Sequence, residues 1–380
     1  MKNHFYAVFG TYHPNAAATN RLLSYLEAWS RMDIEITVVF AEPDRMFSRL
    51  NSSYKNITVT YLWDVFSTRV FLFHKMMLFW YVKTFLKKLH TGDCVYVYGE
   101  PFLVKQILRK RPDVRLYQER TEHPMVYVGG YWPYRVSLNS YLQDCKKLNG
   151  LIVISQQLKD YFVSSGVDSE KMHIVNMTVD SSRFVNVTKQ EQSNKYIAYC
   201  GNASNNKDGV DQLIKAFSLV SKKYPDLFLY IMGPVPHKDD VNSNAVLAET
   251  LGIAHRVKFT GIIPFSDMPQ MLTNATVLAL DRPDNLQAQY GFPTKLGEYL
   301  LSGNPVVVTR VGDIPRFIED GISGMVAEPS NPEDFSSKII WLLEHSGEAI
   351  AIGKKGRMVA EKNFNNEIEA KKIVDIIFSV

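Results

Sequence analysis

The segment from Gly291 to Thr309 most constrains what this chain can fold into. Residues 291–294 read as a loop that opens into a helix, Gly303 ends that helix, and residues 306–309 form a short apolar strand. Pro293 suits a first helical turn because its missing N–H would have no partner there, and glycine suits the C-terminal side of a helix. A helix that leads directly into an all-apolar strand predicts a parallel sheet covered by helices on both faces.

The same order of elements occurs in both halves of the chain. Residues 6–10 and 196–201 each read as a buried strand that ends on glycine, and each is followed by a loop, a helix and a further strand. We therefore predict an α/β protein with two Rossmann-like parallel-sheet domains that face a central cleft. The expected boundaries are 1–185 for the N-terminal domain, 186–195 for a polar linker and 196–364 for a C-terminal domain. The helix at 365–380 can pack on either domain.

The helix that begins near Pro293 predicts an anion site. Its free N–H groups and the positive end of its dipole face whatever lies beyond Gly291, and glycine lets an anion approach the backbone closely. Glu298 lies about one and a half turns further along, where it can accept hydrogen bonds from hydroxyl groups of the same ligand. A sugar nucleotide supplies both kinds of group.

Composition and charge limit the number of domains and the classes of binding partner. With 380 residues, of which 46% are hydrophobic, the chain is long enough for two domains with sizeable cores. Residues 1–189 carry 24 Lys and Arg against 16 Asp and Glu, a balance of +8, and the remainder carries 19 against 23, a balance of −4. A basic first half favours an anionic partner such as a membrane surface, although ordinary scatter of surface charge gives the same difference. Nucleic acid is the least favoured partner, because no recognition motif accompanies the charge.

The cysteines and the N-terminus indicate the compartment. Cys94, Cys145 and Cys200 are odd in number and widely spaced, which favours a reducing compartment without disulfides or a zinc site. The N-terminal apolar stretch is too short for a signal-peptide core, and no run approaches the roughly 20 apolar residues that cross a bilayer. We expect a cytoplasmic protein that can bind peripherally to the inner face of the cell membrane.

Residues 69–90 favour membrane contact by their pattern. On a helical wheel Phe71, Leu78, Val82, Phe85 and Leu89 form one apolar stripe. The opposite side mixes cations with large apolar side chains, which is typical of a helix in a lipid headgroup region. These are Arg69, Phe73, Met76, Trp80, Lys83 and Lys87. A helix buried on both sides, with lysines that extend to water, is an equally good interpretation.

Several motifs together resemble one family. They are residues 199–201 with 207–210 and 213–217, residues 231–233, residues 259–261, residues 291–298, and residues 312–321. In order and spacing they resemble the retaining glycosyltransferases of the two-Rossmann-domain (GT-B) type, in particular the group four class that builds bacterial surface polysaccharides. The resemblance covers nearly the whole chain and is strongest from residue 196 to residue 344.

The resemblance implies roles for matching positions. Lys207 corresponds to the lysine that binds the donor diphosphate, and Glu298 to the glutamate that holds the ribose hydroxyls. The implied donor site also includes Gly201, Asn202, Gly261, Ile262, Arg282, Tyr290, Gly291, Phe292, Pro293 and Thr294. In the first domain, the loop with Gly10, Asn15 and Ala16 is expected on the acceptor side, and Glu122 and His123 beside the reacting centre. Each of these side chains also has an ordinary structural explanation, as a surface lysine, a solvated helix residue or a loop histidine.

The sequence departs from the family pattern at two positions. The first glutamate of the usual pair, eight residues before Glu298, is Tyr290, and the basic residue that usually follows Gly201 is Asn202. We expect Arg282 to replace that cation. Tyr290 leaves the identity of the transferred sugar open.

These observations predict a retaining glycosyltransferase that moves a sugar from a nucleoside-diphosphate sugar to a hydroxyl of a glycan or of a polyprenyl-diphosphate-linked acceptor. No Asp-x-Asp motif is present, so we expect no metal and no other cofactor. A nucleotide-sugar 2-epimerase of the same architecture is the alternative among enzymes. A sugar-binding protein without catalysis is the alternative from another class.

Overall fold

The computed structural model describes residues 3–13, 17–42, 48–50, 54–62, 77–126, 136–201, 203–234 and 238–379. The chain divides into two compact units. The first is Met1–Thr178 together with Asn366–Val380, and the second is Val179–Asn365.

The first unit is built on a sheet of seven parallel strands. They are β1 (Asn3–Phe9), β2 (Ile34–Phe40), β3 (Ile57–Tyr61), β4 (Cys94–Tyr98), β5 (Arg115–Arg120), β6 (Gly150–Val153) and β7 (Met172–Ile174), in the spatial order β3-β2-β1-β4-β5-β6-β7. The helices are Ala17–Trp29, Leu78–Lys88, Pro101–Lys110, Leu138–Cys145, Gln156–Ser164 and Asn366–Phe378. Continuous apolar runs such as that of β6 form several of these strands because helices cover both faces of the sheet.

One strand of this sheet carries charge into the core. Residues 116–118 read as a strand in the sequence, which predicts that the polar residues 119–123 lie just past its end. In the structure Glu119 and Arg120 belong to β5 and are buried. Glu119 is stabilised there because Arg21 Nε donates to its Oε1 at 2.5 Å and the hydroxyl of Tyr96 donates to its Oε2. The prediction was wrong for Glu119 and Arg120 because this compensation comes from residues distant in sequence.

The second unit repeats the arrangement with six parallel strands. They are β8 (Tyr196–Cys200), β9 (Phe228–Met232), β10 (Val257–Gly261), β11 (Val277–Leu280), β12 (Val306–Thr309) and β13 (Met325–Ala327), in the order β10-β9-β8-β11-β12-β13. The helices are Asn205–Asp208, Val210–Lys223, Lys238–Thr250, Met268–Asn274, Leu286–Tyr290, Thr294–Leu301, Ile314–Phe317, Pro332–Glu344 and Ser346–Asn363. Both sheets have the Rossmann strand order, which confirms the predicted fold class of two parallel-sheet α/β units.

The segment expected to be a linker is attached to the second unit. Lys189 Nζ donates to the carbonyl oxygen of Ala275 at 2.9 Å, and Gln190 N donates to Asn274 Oδ1 at 2.9 Å. The second unit begins earlier, at Val179. Residues 186–195 have the polar sequence of a linker because hydrogen bonds, rather than buried apolar side chains, attach this segment to the second unit.

The C-terminal helix, Asn366–Phe378, belongs to the first unit. Trp29 Nε1 donates to the carbonyl oxygen of Ala370 at 3.0 Å, and Ile373 and Ile377 are buried in the core of that unit. The last helix therefore completes the first sheet's cover although it follows the second unit in sequence.

The helix Leu78–Lys88 has one buried and one exposed face. Leu78, Val82 and Phe85 are buried, as the helical wheel predicts. Trp80 is 57% exposed, Phe79 is 43% exposed, and the lysines at 83, 87 and 88 are exposed. Residues 69–76 of the predicted helix lie outside the described residues. Among the described helices, none has the length and hydropathy that crossing a bilayer requires.

Candidate functional site

The candidate site of the second unit lies where β8 and β11 end. The strand order reverses between these neighbours, and open α/β sheets bind ligands at the carboxyl ends of such strands. Gly201 directly follows β8. It has a φ of 147°, and a Cβ at this position would lie 2.3 Å from Lys295 Nζ. Glycine at 201 therefore allows the lysine to reach the end of the strand.

Lys295 belongs to a buried ion cluster with Asp208. Lys295 Nζ lies 2.5 Å from Asp208 Oδ2 and donates to the Tyr199 hydroxyl at 3.0 Å, and that hydroxyl donates to Asp208 Oδ2 at 2.8 Å. Arg282 Nε lies 3.9 Å from Asp208 Oδ1. Side-chain exposure is 2% for Asp208, 3% for Arg282 and 14% for Lys295. The three charges sum to +1, and Lys295 is the more accessible cation.

Burial and neighbouring charges shift the pKa values of Asp208 and Lys295 in opposite directions. Burial alone would raise the pKa of the Asp208 carboxyl, but Lys295 and Arg282 outweigh it and lower that pKa. Burial lowers the pKa of the Lys295 ammonium, and Asp208 opposes this shift. The carboxylate therefore stays ionised and keeps Lys295 in place.

The amino end of the helix Thr294–Leu301 is fixed beside this cluster. Tyr299 of this helix accepts a hydrogen bond from Cys200 N at 2.5 Å and donates one to Cys200 O at 3.1 Å. In the preceding loop, Phe292 is buried against Phe317 and Phe364, with ring centroids 5.3 and 5.5 Å apart. These contacts hold the helix beside the end of β8. Leu296 N donates to the carbonyl oxygen of Pro293 at 3.1 Å, and the N–H groups of Thr294 and Lys295 lie at the helix start, where no partner exists within a helix.

Glu298 is held by an arginine that the sequence interpretation missed. Arg183 Nη1 donates to Glu298 Oε1, and its Nη2 donates to the carbonyl oxygen of Phe265 at 2.8 Å. The guanidinium also lies over the Phe265 ring, 3.5 Å from the centroid. With 23% side-chain exposure, Glu298 keeps access to a ligand while Arg183 fixes its carboxylate.

The other expected donor-site residues lie around the same sheet edge. Lys207 is half-buried in the helix Asn205–Asp208, and among the described residues no ion pair involves its ammonium. Gly261 ends β10 with a φ of 70°, and Ile262 after it is 66% exposed. Tyr290 ends the helix Leu286–Tyr290 and is half-buried.

Two further expected positions, Pro293 and Thr294, lie at the start of the helix Thr294–Leu301, and a third lies outside the described residues. Pro293 is buried and is the N-cap residue of Thr294–Leu301, so the helix starts one residue later than predicted, with Thr294 half-buried. Asn202 lies outside the described residues.

In the first unit, Gly10 and Glu122 line one cavity of about 410 Å³ at the carboxyl end of the sheet. Glu42 and Glu100 line it as well. A Cβ at Gly10 would lie 2.0 Å from Glu100 Oε1, so glycine is required for this contact. The expected acceptor-side residues Asn15 and Ala16 lie outside the described residues.

His123 follows β5 and is 5% exposed. Its Nδ1 accepts a hydrogen bond from Met125 N at 3.2 Å, so the neutral ring carries its proton on Nε2. Burial lowers the pKa of His123, and the ring is therefore neutral at pH 7. A neutral imidazole with Nε2–H can donate a hydrogen bond to a hydroxyl group.

The described residues show no group of three or more His, Cys, Asp or Glu side chains that could hold a metal ion. At the carboxyl edge of the second sheet lie ammonium, guanidinium and backbone N–H groups, which bind anions.

Comparison with known proteins shows similarity to one family within the second unit. Residues 194–345 match the family described as Glycosyl transferases group 1. A GDP-mannose-dependent alpha-(1-6)-phosphatidylinositol monomannoside mannosyltransferase of Mycolicibacterium smegmatis is 28% identical, over 45% of this chain and 44% of the relative. A D-inositol 3-phosphate glycosyltransferase of Corynebacterium urealyticum is 24% identical, over 60% of this chain and 57% of the relative. The chain thus spans about half the length of these curated relatives.

Solved structures show the same fold over the whole chain. Anabaena HepE in complex with UDP has a TM-score of 0.76 and 16% identity, and the match covers 100% of both chains. Sucrose-phosphate synthase from Thermosynechococcus elongatus also has a TM-score of 0.76, with 15% identity, and covers 99% of this chain and 98% of its own. The chain has the GT-B fold, and residues 194–345 of its second unit match the group 1 glycosyltransferase family.

Proposed function

We propose that this protein, whose residues 194–345 match the Glycosyl transferases group 1 family, is a glycosyltransferase that takes a sugar from a nucleoside-diphosphate sugar. The observation that carries the proposal is the cluster of Lys295, Arg282 and Asp208 beside Gly201, at the sheet edge to which the helix Thr294–Leu301 points its amino end. Cations and free N–H groups at one sheet edge bind a diphosphate. The relatives and the structures with the same fold include proteins named for GDP-mannose use and for bound UDP, which supports this ligand class.

The second unit binds the donor in this proposal. Lys207 contacts the diphosphate and offsets the charge that develops on it as the glycosidic bond breaks. Glu298, fixed by Arg183, accepts hydrogen bonds from the ribose hydroxyls. The residues after Gly261 contact the nucleobase, and no metal ion or other cofactor takes part.

The first unit binds the acceptor. Its cavity, with Gly10 and Glu122, receives a hydroxyl-bearing glycan, since carboxylates accept hydrogen bonds from hydroxyl groups. His123 donates from Nε2 to a hydroxyl group close to the reacting centre. We propose retention of the anomeric configuration, in which the leaving phosphate accepts the acceptor's proton, and a role in surface polysaccharide biosynthesis.

Calorimetric titration with UDP, GDP and their common sugar conjugates tests the donor site. We expect one of the two diphosphates to bind, and Lys207→Ala and Glu298→Ala each to weaken this binding by about tenfold or more, because each removes a hydrogen bond that involves a charged group. Lys354→Ala, on the exposed face of the helix Ser346–Asn363, is the matched control and should bind normally. Failure of the wild type to bind either nucleotide contradicts the proposal.

We also propose that the acceptor is lipid-linked and that the protein binds anionic membranes peripherally. The support is the exposed face of the helix Leu78–Lys88, where Lys83 lies 5.2 Å from the centre of the Trp80 ring and Lys110 lies 4.6 Å from that of Phe79. Exposed aromatic rings with adjacent lysines match a headgroup region.

Sedimentation with vesicles tests the membrane proposal. At low salt, vesicles with phosphatidylglycerol should bind the wild type, and the variant Phe79→Ser/Trp80→Ser should bind several-fold less, while Lys354→Ala binds like the wild type. If the wild type stays in the supernatant with anionic vesicles, the protein does not bind membranes through this face.

A further inference from the structure

The helix Thr294–Leu301 places a cation where the helix dipole opposes it. Lys295 lies in the first turn of this helix, and that turn holds no acidic residue. The partial positive charge at a helix amino end repels an ammonium group and attracts an anion. The position of Lys295 therefore favours an anionic ligand that contacts both the ammonium and the first-turn N–H groups.

The ammonium of Lys295 keeps one donor for such a ligand. An ammonium has three N–H groups, and among the described residues its hydrogen-bond acceptors are Asp208 Oδ2 and the Tyr199 hydroxyl. Its side chain is 14% exposed, in contrast to 3% for Arg282. An anion at the amino end of the helix can therefore reach Lys295 more easily than Arg282.

We propose that Lys295 is the second cation that binds the donor diphosphate, in the role that the family resemblance assigns to a basic residue at position 202. This inference rests on the proposed function. Asp208 is a positioning residue that fixes the direction of the ammonium, together with Tyr199. Gly201 is required because a Cβ would lie 2.3 Å from Lys295 Nζ.

Lys295 acts on the leaving group during transfer. The bond between the sugar's C1 and the diphosphate oxygen breaks, and its electron pair goes to that oxygen. The acceptor oxygen forms the new bond to C1, and its proton passes to the leaving diphosphate. A hydrogen bond from Lys295 to the diphosphate becomes stronger as the negative charge develops, so it lowers the barrier as well as the dissociation constant.

The test compares Lys295→Met, Lys295→Arg and the double variant Asp208→Asn/Lys295→Met. Calorimetry measures the affinity of each variant for UDP and GDP, and NMR measures the affinity for uridine and guanosine, which lack phosphates. Lys295→Met leaves Asp208 beside Arg282, and the double variant removes the carboxylate as well. The two variants therefore test the loss of the ammonium with and without Asp208, and either one keeps the test valid if the other fails to fold. Lys354→Met is the control.

We expect the bound diphosphate to lose about 10- to 100-fold in affinity in Lys295→Met and in the double variant, which is the size of a charge-assisted hydrogen bond. Lys295→Arg should keep part of the affinity, and the matching nucleoside should bind all variants within about twofold. Wild-type diphosphate affinity in the double variant would show that Lys295 only neutralises Asp208, and would overturn the inference. Binding of neither UDP nor GDP by the wild type would instead overturn the proposed function, and the role of Lys295 with it.

Discussion

The ion pair between Arg183 and Glu298 gives the most specific prediction for the second unit. Arg183→Met removes a charge-assisted hydrogen bond to Glu298, a hydrogen bond to the Phe265 carbonyl at 2.8 Å and a guanidinium placed 3.5 Å from the Phe265 ring centroid. Hydrogen bonds to charged groups contribute about 1.5–3 kcal/mol each, and a cation over an aromatic ring contributes about 0.5–1 kcal/mol at partly exposed sites. The side chains of Arg183 and Glu298 are 15% and 23% exposed, so solvent screens these interactions and reduces their summed contribution. We expect Arg183→Met to lower the free energy of unfolding by about 2–3 kcal/mol.

A double-mutant cycle isolates the contribution of the pair. The variants are Arg183→Met, Glu298→Gln and both together, and the expected coupling energy is about 1–2 kcal/mol. Urea-dependent hydrogen exchange, measured on peptides of the second unit, is the suitable assay because two compact units need not unfold together.

The exposed pair Arg310–Glu328 is the control for this cycle. Its nitrogen–oxygen distance is 2.7 Å, but its side chains are 48% and 56% exposed, so its coupling energy should stay below about 1 kcal/mol. If the coupling energies of the two pairs are equal, the argument that Arg183 holds Glu298 in a partly buried site is wrong.

Three further predictions concern titration and thiol reactivity. Burial, with a smaller contribution from Asp211, raises the pKa of Asp281 to about 8. The folded state therefore binds more protons than the unfolded state between about pH 4 and pH 8, and in urea titrations Asp281→Asn should gain stability over the wild type as the pH rises through this window. Burial lowers the pKa of His123, so the unfolded state binds the proton first as the pH falls. The free energy of unfolding should therefore decrease as the pH drops below about 6.5, and His123→Gln should lose less stability in the same titration. All three cysteines are buried with raised pKa values, and a maleimide should label the folded protein at pH 7 much more slowly than the unfolded protein; rapid labelling of the folded chain would contradict their burial.

The sequence predicted the strands of the second unit closely. The strand predicted at 306–309 is β12, and the strand predicted to end on Gly201 is β8, which ends one residue before that glycine. These elements are continuous apolar runs or amphipathic stretches between turn residues, so local pattern is sufficient to identify them. The fold class followed from their order along the chain.

The charged interior could not be predicted in the same way. Glu119 and Asp208 are buried because Arg21 and Lys295, respectively, lie against them, and each partner is distant in sequence. Local pattern assigns a charged residue to the surface or to a loop, so it misplaced Glu119.

The candidate site was only partly visible in the sequence. The resemblance identified Lys207 and Glu298, but it gave no role to Lys295 or Arg183. A lysine in the first turn of a helix is a signal that could have found Lys295, because it opposes the helix dipole. No comparable signal exists for Arg183, which lies 115 residues before Glu298.

Product analysis by time-resolved proton NMR tests whether the protein transfers a sugar from a nucleoside-diphosphate sugar with retention of the anomeric configuration. The purified protein is incubated with the sugar conjugate of the diphosphate that binds, first alone and then with candidate hydroxyl acceptors, and the anomeric signals are followed. We expect release of the nucleoside diphosphate, faster with a suitable acceptor, and a product that has the anomeric configuration of the donor. An epimerised sugar formed from the donor alone, or a product of inverted configuration, would contradict it.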